Sequence, residues 1–560
     1  MIYVYIGAAA IVLAFMIYET VTSKKRLEKK LLRLVRRTYG NVPEREYTDE
    51  DIRKLRVYFE HTRHEDAFSI DDITWNDLGM DDLYAAVNHT FSSAGEEVLY
   101  ALFREPCFDE EELRERDRLA VFFRENPEIR ESMSMDYASV GRTRKYSLVE
   151  FLDSFRDLEL KPTFHYLYHL LLLVLAIIGS VFAPGPGIIS LIFVIIFNIV
   201  TYYREKSMIE PYYVSLSAVS YLTKAGLRIA KHREGPLEKY ADDLSVTLKP
   251  LKKLEKSFKW LGQGGANIST SILSALFEYF LMMTHLDFLV FNRMVRIVRN
   301  HEEEILRMVR TLGYLEAMIA VASFRERLPF YCTGEFLPGT ERSFLLTDAY
   351  HPLLENPVAN SIDTDTPVLI TGSNASGKST FLRVSALSAL FAETIATVPA
   401  HAYRAPMYRI YSSMALTDNL LSGESYYIVE IRSIKRILDA CSGDVPVLLF
   451  VDEVLRGTNT VERIAASSEI LKVFAEKRAF VFAATHDIEL TYILEGIYLN
   501  YHFEEEIIDG NVVFNYILKQ GRSETRNAIR LLSVMGYDPE VTEAAQRSAE
   551  RFTKEGVWRL

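Results

Sequence analysis

Residues 372–380 read Gly-Ser-Asn-Ala-Ser-Gly-Lys-Ser-Thr. Gly372, Gly377, Lys378 and Ser379 take the four fixed places of the pattern G-x-x-x-x-G-K-[ST]. Ahead of the stretch, Pro367–Thr371 is short, apolar and β-prone. Behind it, Phe381–Phe391 carries apolar residues at helical spacing. The loop is therefore expected between a buried strand and a helix N-terminus. There the backbone N–H groups of Gly372, Ser373, Asn374, Ala375, Ser376, Gly377, Lys378, Ser379 and Thr380 can wrap a polyphosphate, and the helix dipole favours its charge. Lys378 is expected to reach the β- and γ-phosphates, and Ser379 to offer its hydroxyl to Mg²⁺. The implied ligands are ATP and Mg²⁺.

Two further strand ends belong with this loop. Val445–Glu453 is an apolar run closing on Asp452 and Glu453, the place where parallel α/β sheets put their sites. Asp452 is expected to hold Mg²⁺ with Ser379, and Glu453 to orient or deprotonate an attacking water. Arg478–His486 is a second β-prone run, ending in Thr485 and His486. The spacing predicts that His486 contacts the γ-phosphate. Between loop and acids, Ser422-Gly423 precedes a helical run over Tyr427–Leu438. That makes another helix N-terminus with exposed N–H groups. In ABC-type ATPases such a segment completes the site of the opposite subunit.

The remainder of the 560 residues is of a different kind. Ile2–Tyr18 is almost wholly apolar, and Lys24–Arg37 follows with eight basic residues and one acid. A signal peptide has its positive charge before the apolar stretch. This order fits a membrane anchor with a cytoplasmic basic flank, directed at anionic lipid, with DNA phosphates as the alternative. Tyr166–Ala183 and Ile188–Tyr203 are two apolar runs joined by Pro184-Gly-Pro-Gly187, with Lys161 before them and Arg204 and Lys206 after. They read as a transmembrane hairpin; the alternative is a buried hairpin of a soluble core. Ile272–Phe291, interrupted by Glu278, His285 and Asp287, reads as one core helix. A net charge of −12 excludes a uniformly basic protein without excluding a local nucleic-acid surface. Cys107, Cys332 and Cys441 have no zinc spacing, so no zinc is expected.

Taken together, these motifs resemble the MutS family of DNA mismatch-repair ATPases. The resemblance rests on Thr371–Thr380, Leu421-Ser-Gly-Glu-Ser425, Asp452-Glu-Val-Leu-Arg-Gly-Thr458 and Ala484-Thr-His486. Asn88–Gly95, with Arg116 and Arg118, looks like the start of that family's helical lever. The resemblance implies an ATP hydrolase working as a homodimer, with Ser422 and Gly423 acting in trans, and DNA as a possible partner. Departures are Ser373, Ala375 and Ser376 in place of Pro, Met and Gly, Leu455 in place of Gly, and no adenine-stacking aromatic near Val358. No mismatch-reading domain fits before Thr48.

The expected architecture is multidomain, α plus α/β. It comprises an anchor (1–19), a basic juxtamembrane segment (20–47), a helical lever region (48–161 and 205–341) interrupted by a transmembrane helical hairpin (162–204), and a C-terminal P-loop ABC-type α/β ATPase (342–560). The expected location is the plasma membrane, multi-pass, with lever and ATPase parts in the cytoplasm. Two readings of what the levers hold stay open. One is DNA, in a repair or recombination role. The other is a membrane or protein partner moved mechanically. A transporter is disfavoured, because the spans carry no carboxylate, Lys or Arg.

Overall fold

The computed structural model describes residues 18, 22–23, 25–64, 66–143, 146–262, 272–373, 376–414, 426–442, 445–477, 479–508, 511–523, 529, 532 and 535–555. The expected anchor, apart from Tyr18, lies outside the described residues, as do Asn374, Ala375, Ser422 and Gly423. The chain forms two compact units. One comprises Met1–Glu65, Ala85–Ala101 and Arg118–Arg327, and the other Asp66–Tyr84, Leu102–Asp117 and Leu328–Leu560.

The first unit is helical. Its helix Asp49–Thr62 opens on a capping box. The Asp51 N–H donates to the Thr48 hydroxyl at 3.3 Å, and the Thr48 N–H donates to the Asp51 carboxylate at 3.1 Å. The helix Glu302–Arg327 is buried along most of its length. From it, Glu316 accepts the N–H groups of Phe91 at 2.5 Å and Ser92 at 3.1 Å, and the Ser92 hydroxyl. Burial pushes the Glu316 carboxyl up to about 7 against those donors. One turn earlier the two chain segments nearly touch. A Cβ added at Gly313 would lie 2.3 Å from the Ala94 carbonyl oxygen.

The two apolar runs form the helices Thr163–Phe182 and Pro184–Ile229. Both are long and apolar enough to cross a membrane, and most of either apolar stretch is exposed. Two details differ from the sequence reading. The turn is shorter than Pro184–Gly187. The helices are separated by Ala183 alone, because Pro184 suits the first turn of a helix, where its missing N–H costs nothing. The second helix does not stop at Tyr203 but continues through Pro211, for 46 residues. Near its middle, Asn198 accepts from His169 Nδ1 at 2.9 Å and donates to the Met283 carbonyl at 2.8 Å. His285 Nε2 donates to the Asn198 carbonyl at 3.1 Å. His285 takes a left-handed backbone, φ 56°, and splits the single helix expected over Ile272–Phe291 into Ile272–Thr284 and Leu286–Asn300.

The second unit contains the strands β1 (Glu335–Leu337), β2 (Phe344–Ala349), β3 (Asn360–Thr364), β4 (Val368–Thr371), β5 (Ala402–Pro406), β6 (Arg409–Ser413), β7 (Val447–Asp452), β8 (Ala479–Thr485), β9 (Leu499–His502), β10 (Glu505–Ile508), β11 (Asn511–Phe514) and β12 (Lys519–Gln520). Six of them make the central sheet, in the order β12-β9-β4-β8-β7-β6. Its strands run parallel except β12, which is antiparallel to β9. β4 and β8 are buried throughout, and β7 up to Asp452. Such continuous apolar runs are what a parallel sheet covered on both faces requires. A four-stranded sheet, β1-β5-β2-β3, and the hairpin β10-β11 complete the unit. Residues of the early chain also belong here. The Ser412 hydroxyl in β6 donates to Asp77 at 2.6 Å, and the Ser412 N–H donates to the Thr74 hydroxyl at 3.1 Å.

Gly313→Ala should destabilise the first unit. The added methyl overlaps a backbone carbonyl that cannot rotate away, a cost of about 1–3 kcal/mol. Gly179→Ala meets nothing within 4 Å. Thermal unfolding of the two variants should show a lowered Tm for the first and none for the second.

Candidate functional site

Parallel pairing brings three chain exits to one sheet edge. Thr371 of β4 pairs with Thr485 of β8, and Asp452 of β7 pairs with Ala484. The residues that follow, Gly372, Glu453 and His486, therefore leave the sheet side by side.

The loop after β4 leads into the helix Lys378–Thr394 through Gly377, which has φ 110°. Gly372 has φ 150°, and a Cβ there would lie 2.6 Å from the Phe503 carbonyl oxygen. Both positions need glycine. Lys378 Nζ donates to the carbonyls of Gly372 and Ser373, each at 2.8 Å, and lies 3.4 Å from His486 Nε2. Burial pulls its ammonium below the usual lysine range, against the carboxylates of Asp452, Glu453 and Glu505. Ser373, which departs from the resembled pattern, donates to Glu505 at 2.7 Å. The Ser376 hydroxyl is buried with no hydrogen-bond partner among the described residues.

Asp452 and Glu453 face different partners. Asp452 accepts from the Ser379 hydroxyl. Glu453 has a left-handed backbone, φ 58°, and its N–H still donates to the Ala484 carbonyl at 2.9 Å. Its carboxylate meets His486 Nε2 at 2.8 Å and the Arg456 guanidinium. Burial raises the Glu453 carboxyl, but the hydrogen bonds from His486 and Arg456 outweigh it and lower the group to about 2. Next to His486, Asp487 is gripped by Arg463 at 2.8 and 2.5 Å, which fixes the end of β8 on the helix Thr460–Glu476.

These groups open on one cavity of about 490 Å³. Ser373, Ser376, Gly377, Lys378, Ser379, Thr380, Asp452, Glu453 and His486 line it. So do His351, Val358, Asn360, Phe503 and Tyr516. Apart from Val358, the sequence reading did not single these out. They come from the segment leading into β3, the first residue of β3 and the flanks of β10-β11, which carry no spacing motif. Asn360 ties that wall together by donating to the Tyr516 carbonyl at 2.9 Å and accepting the Leu518 N–H at 2.7 Å.

The donor set suits a nucleotide with a divalent cation. Ser379 and Asp452 offer the hard oxygens that Mg²⁺ takes. Gly372 and Gly377 leave the two ends of the loop without a side chain, and the unpartnered Ser376 hydroxyl lies between them.

Comparison with known proteins gives the same region. The model of the family described as MutS domain V matches residues 368–553. The DNA mismatch repair protein MutS of Thermus aquaticus is 30% identical over 269 residues, 45% of this chain and 33% of that protein. The protein of the same name from Aquifex pyrophilus is 29% identical over 267 residues, 45% of this chain and 31% of that one. The one from Lactobacillus delbrueckii subsp. bulgaricus is 29% identical over 287 residues, 49% and 33%. The match thus spans about a third of the length of these relatives. Residues 368–553 match MutS domain V, and through that region the chain is similar to DNA mismatch repair proteins MutS.

Proposed function

We propose that this chain is a membrane-anchored MutS-family ATPase, which hydrolyses ATP in a homodimer and couples the cycle to DNA in a repair- or recombination-related role. The observation that carries the ATPase reading is the convergence of Lys378, the Ser379–Asp452 pair and the Glu453–His486 pair on one cavity.

In this reading the loop N–H groups and Lys378 bind the phosphates. Ser379 and Asp452 would hold Mg²⁺, which neutralises charge on the phosphate oxygens. Glu453 accepts a hydrogen bond from the attacking water and aims it in line with the γ-phosphate. Arg456 and His486 engage the Glu453 carboxylate and fix its direction. His486 contacts the γ-phosphate from the end of β8. Ser422 and Gly423 serve the opposite protomer. The two exposed apolar helices span the plasma membrane as a hairpin, with the helical and ATPase parts on the cytoplasmic side.

The names of the relatives support the DNA role. One observation favours the second reading, a mechanical ATPase acting on a membrane or protein partner. Of the basic residues after Arg204 that would suit a DNA groove (Lys224, Arg228, Lys231, His232 and Arg233), Arg228 pairs with Asp136 at 2.7 Å and Arg233 with Asp242 at 2.7 Å.

Lys378→Ala should abolish ATP binding in a nucleotide titration. Glu453→Gln should bind ATP as the wild type does but turn it over about 10²–10⁴-fold more slowly; an unchanged rate would remove Glu453 from its role. On the DNA reading, duplex or branched DNA raises the rate, and the gain falls steeply between about 50 and 200 mM salt. A rate indifferent to every DNA form transfers the function to the second reading.

A further inference from the structure

Glu430 stands in the first half of the helix Tyr426–Ala440, is 3% exposed and lines no part of the cavity. Its Oε1 accepts the Arg456 N–H at 3.1 Å, and its Oε2 is buried with no hydrogen-bond partner among the described residues. One turn earlier on the same helix face, Tyr427 packs on Gly457, where an added Cβ would lie 3.1 Å from the Tyr427 Cβ. The first two turns of this helix thus hold the segment after β7 at two points.

That segment is one that L-residues resist. Glu453 has φ 58° and Leu455 φ 59°, both in the left-handed region. Such backbone persists only where the surroundings over-determine it. A buried carboxyl oxygen on the Arg456 N–H does so, and a shorter side chain would not reach it. The same turn carries Arg456 onto the Glu453 carboxylate.

We propose that Glu430 is a positioning residue for hydrolysis: by accepting the Arg456 N–H from its buried place on the helix it holds the left-handed turn that aims Glu453 into the cavity and seats Arg456 on it. Glu430 touches neither nucleotide nor water. The inference rests on the reading of Glu453 as the group that directs the water, and it adds a link between the helix Tyr426–Ala440 and that group. Glu430 acts on the rate and leaves the nucleotide contacts of Lys378, Ser379 and Asp452 in place.

The test is a double-mutant cycle on the full chain in detergent, reading kcat and the Kd for Mg²⁺-ATP. Glu430→Ala should lower kcat about tenfold or more while Kd stays within about threefold. In the Glu453→Gln background the same change should lower the residual rate by less than about twofold, because Glu430 acts through Glu453. Glu430→Asp, which keeps a buried charge but draws it back by one methylene, should follow the same pattern, so a misfolded alanine variant leaves the test intact. An unchanged kcat overturns the proposal. So does an equal loss in both backgrounds, or a loss of ATP affinity in step with the rate. A wild-type chain that binds ATP without turning it over would sink the ATPase reading itself, a result distinct from any of these.

Discussion

The left-handed backbone at Glu453, directly after a buried parallel strand, turns two consecutive carboxylates to different partners. In an extended strand Asp452 and Glu453 would point to opposite faces of the sheet. With φ at 58°, both instead stand at its C-terminal edge, Asp452 on the Ser379 hydroxyl and Glu453 on His486 and Arg456. On the proposed function, one carboxylate thereby serves a metal and the other a water. The strain of that turn is borne by its surroundings: the ladder bond from the Glu453 N–H to Ala484, and the Glu430 carboxylate on the Arg456 N–H.

Much of this was legible in the chain. The phosphate loop, Asp452-Glu453 and Thr485-His486 each follow an apolar run too short for a helix, and all three runs are strands. Parallel pairing then leaves one edge where they can meet. The far wall of the cavity was not legible. His351, Asn360, Phe503 and Tyr516 come from separate loops and strands, and their grouping depends on which strands pair. Nor does the sequence reveal that Thr74 and Asp77, near the start of the chain, hydrogen-bond to β6. Such contacts join residues more than three hundred positions apart, beyond the reach of any local pattern.

The helical unit shows the same division. The helix Asp49–Thr62 opens on a capping box between Thr48 and Asp51, which is local side-chain chemistry. The break at His285 was hidden, because the apolar pattern runs on through it. It is set by tertiary contact: the His285 ring reaches the Asn198 carbonyl, while the Asn198 amide reaches Met283. Asn198 and His169 are polar residues inside otherwise apolar runs, and each is satisfied by the other. In a lipid surrounding such pairing is close to obligatory, since an unpaired polar group there has no water to turn to.

ATP hydrolysis by this chain requires that the Ser379–Asp452 pair be a metal site. The direct measurement is phosphate release from ATP by the purified chain, with Mg²⁺ and then with the metal removed by EDTA. Turnover that requires Mg²⁺ and returns when Mg²⁺ is restored is the predicted result. No turnover with Mg²⁺ present, or turnover indifferent to its removal, would contradict the account.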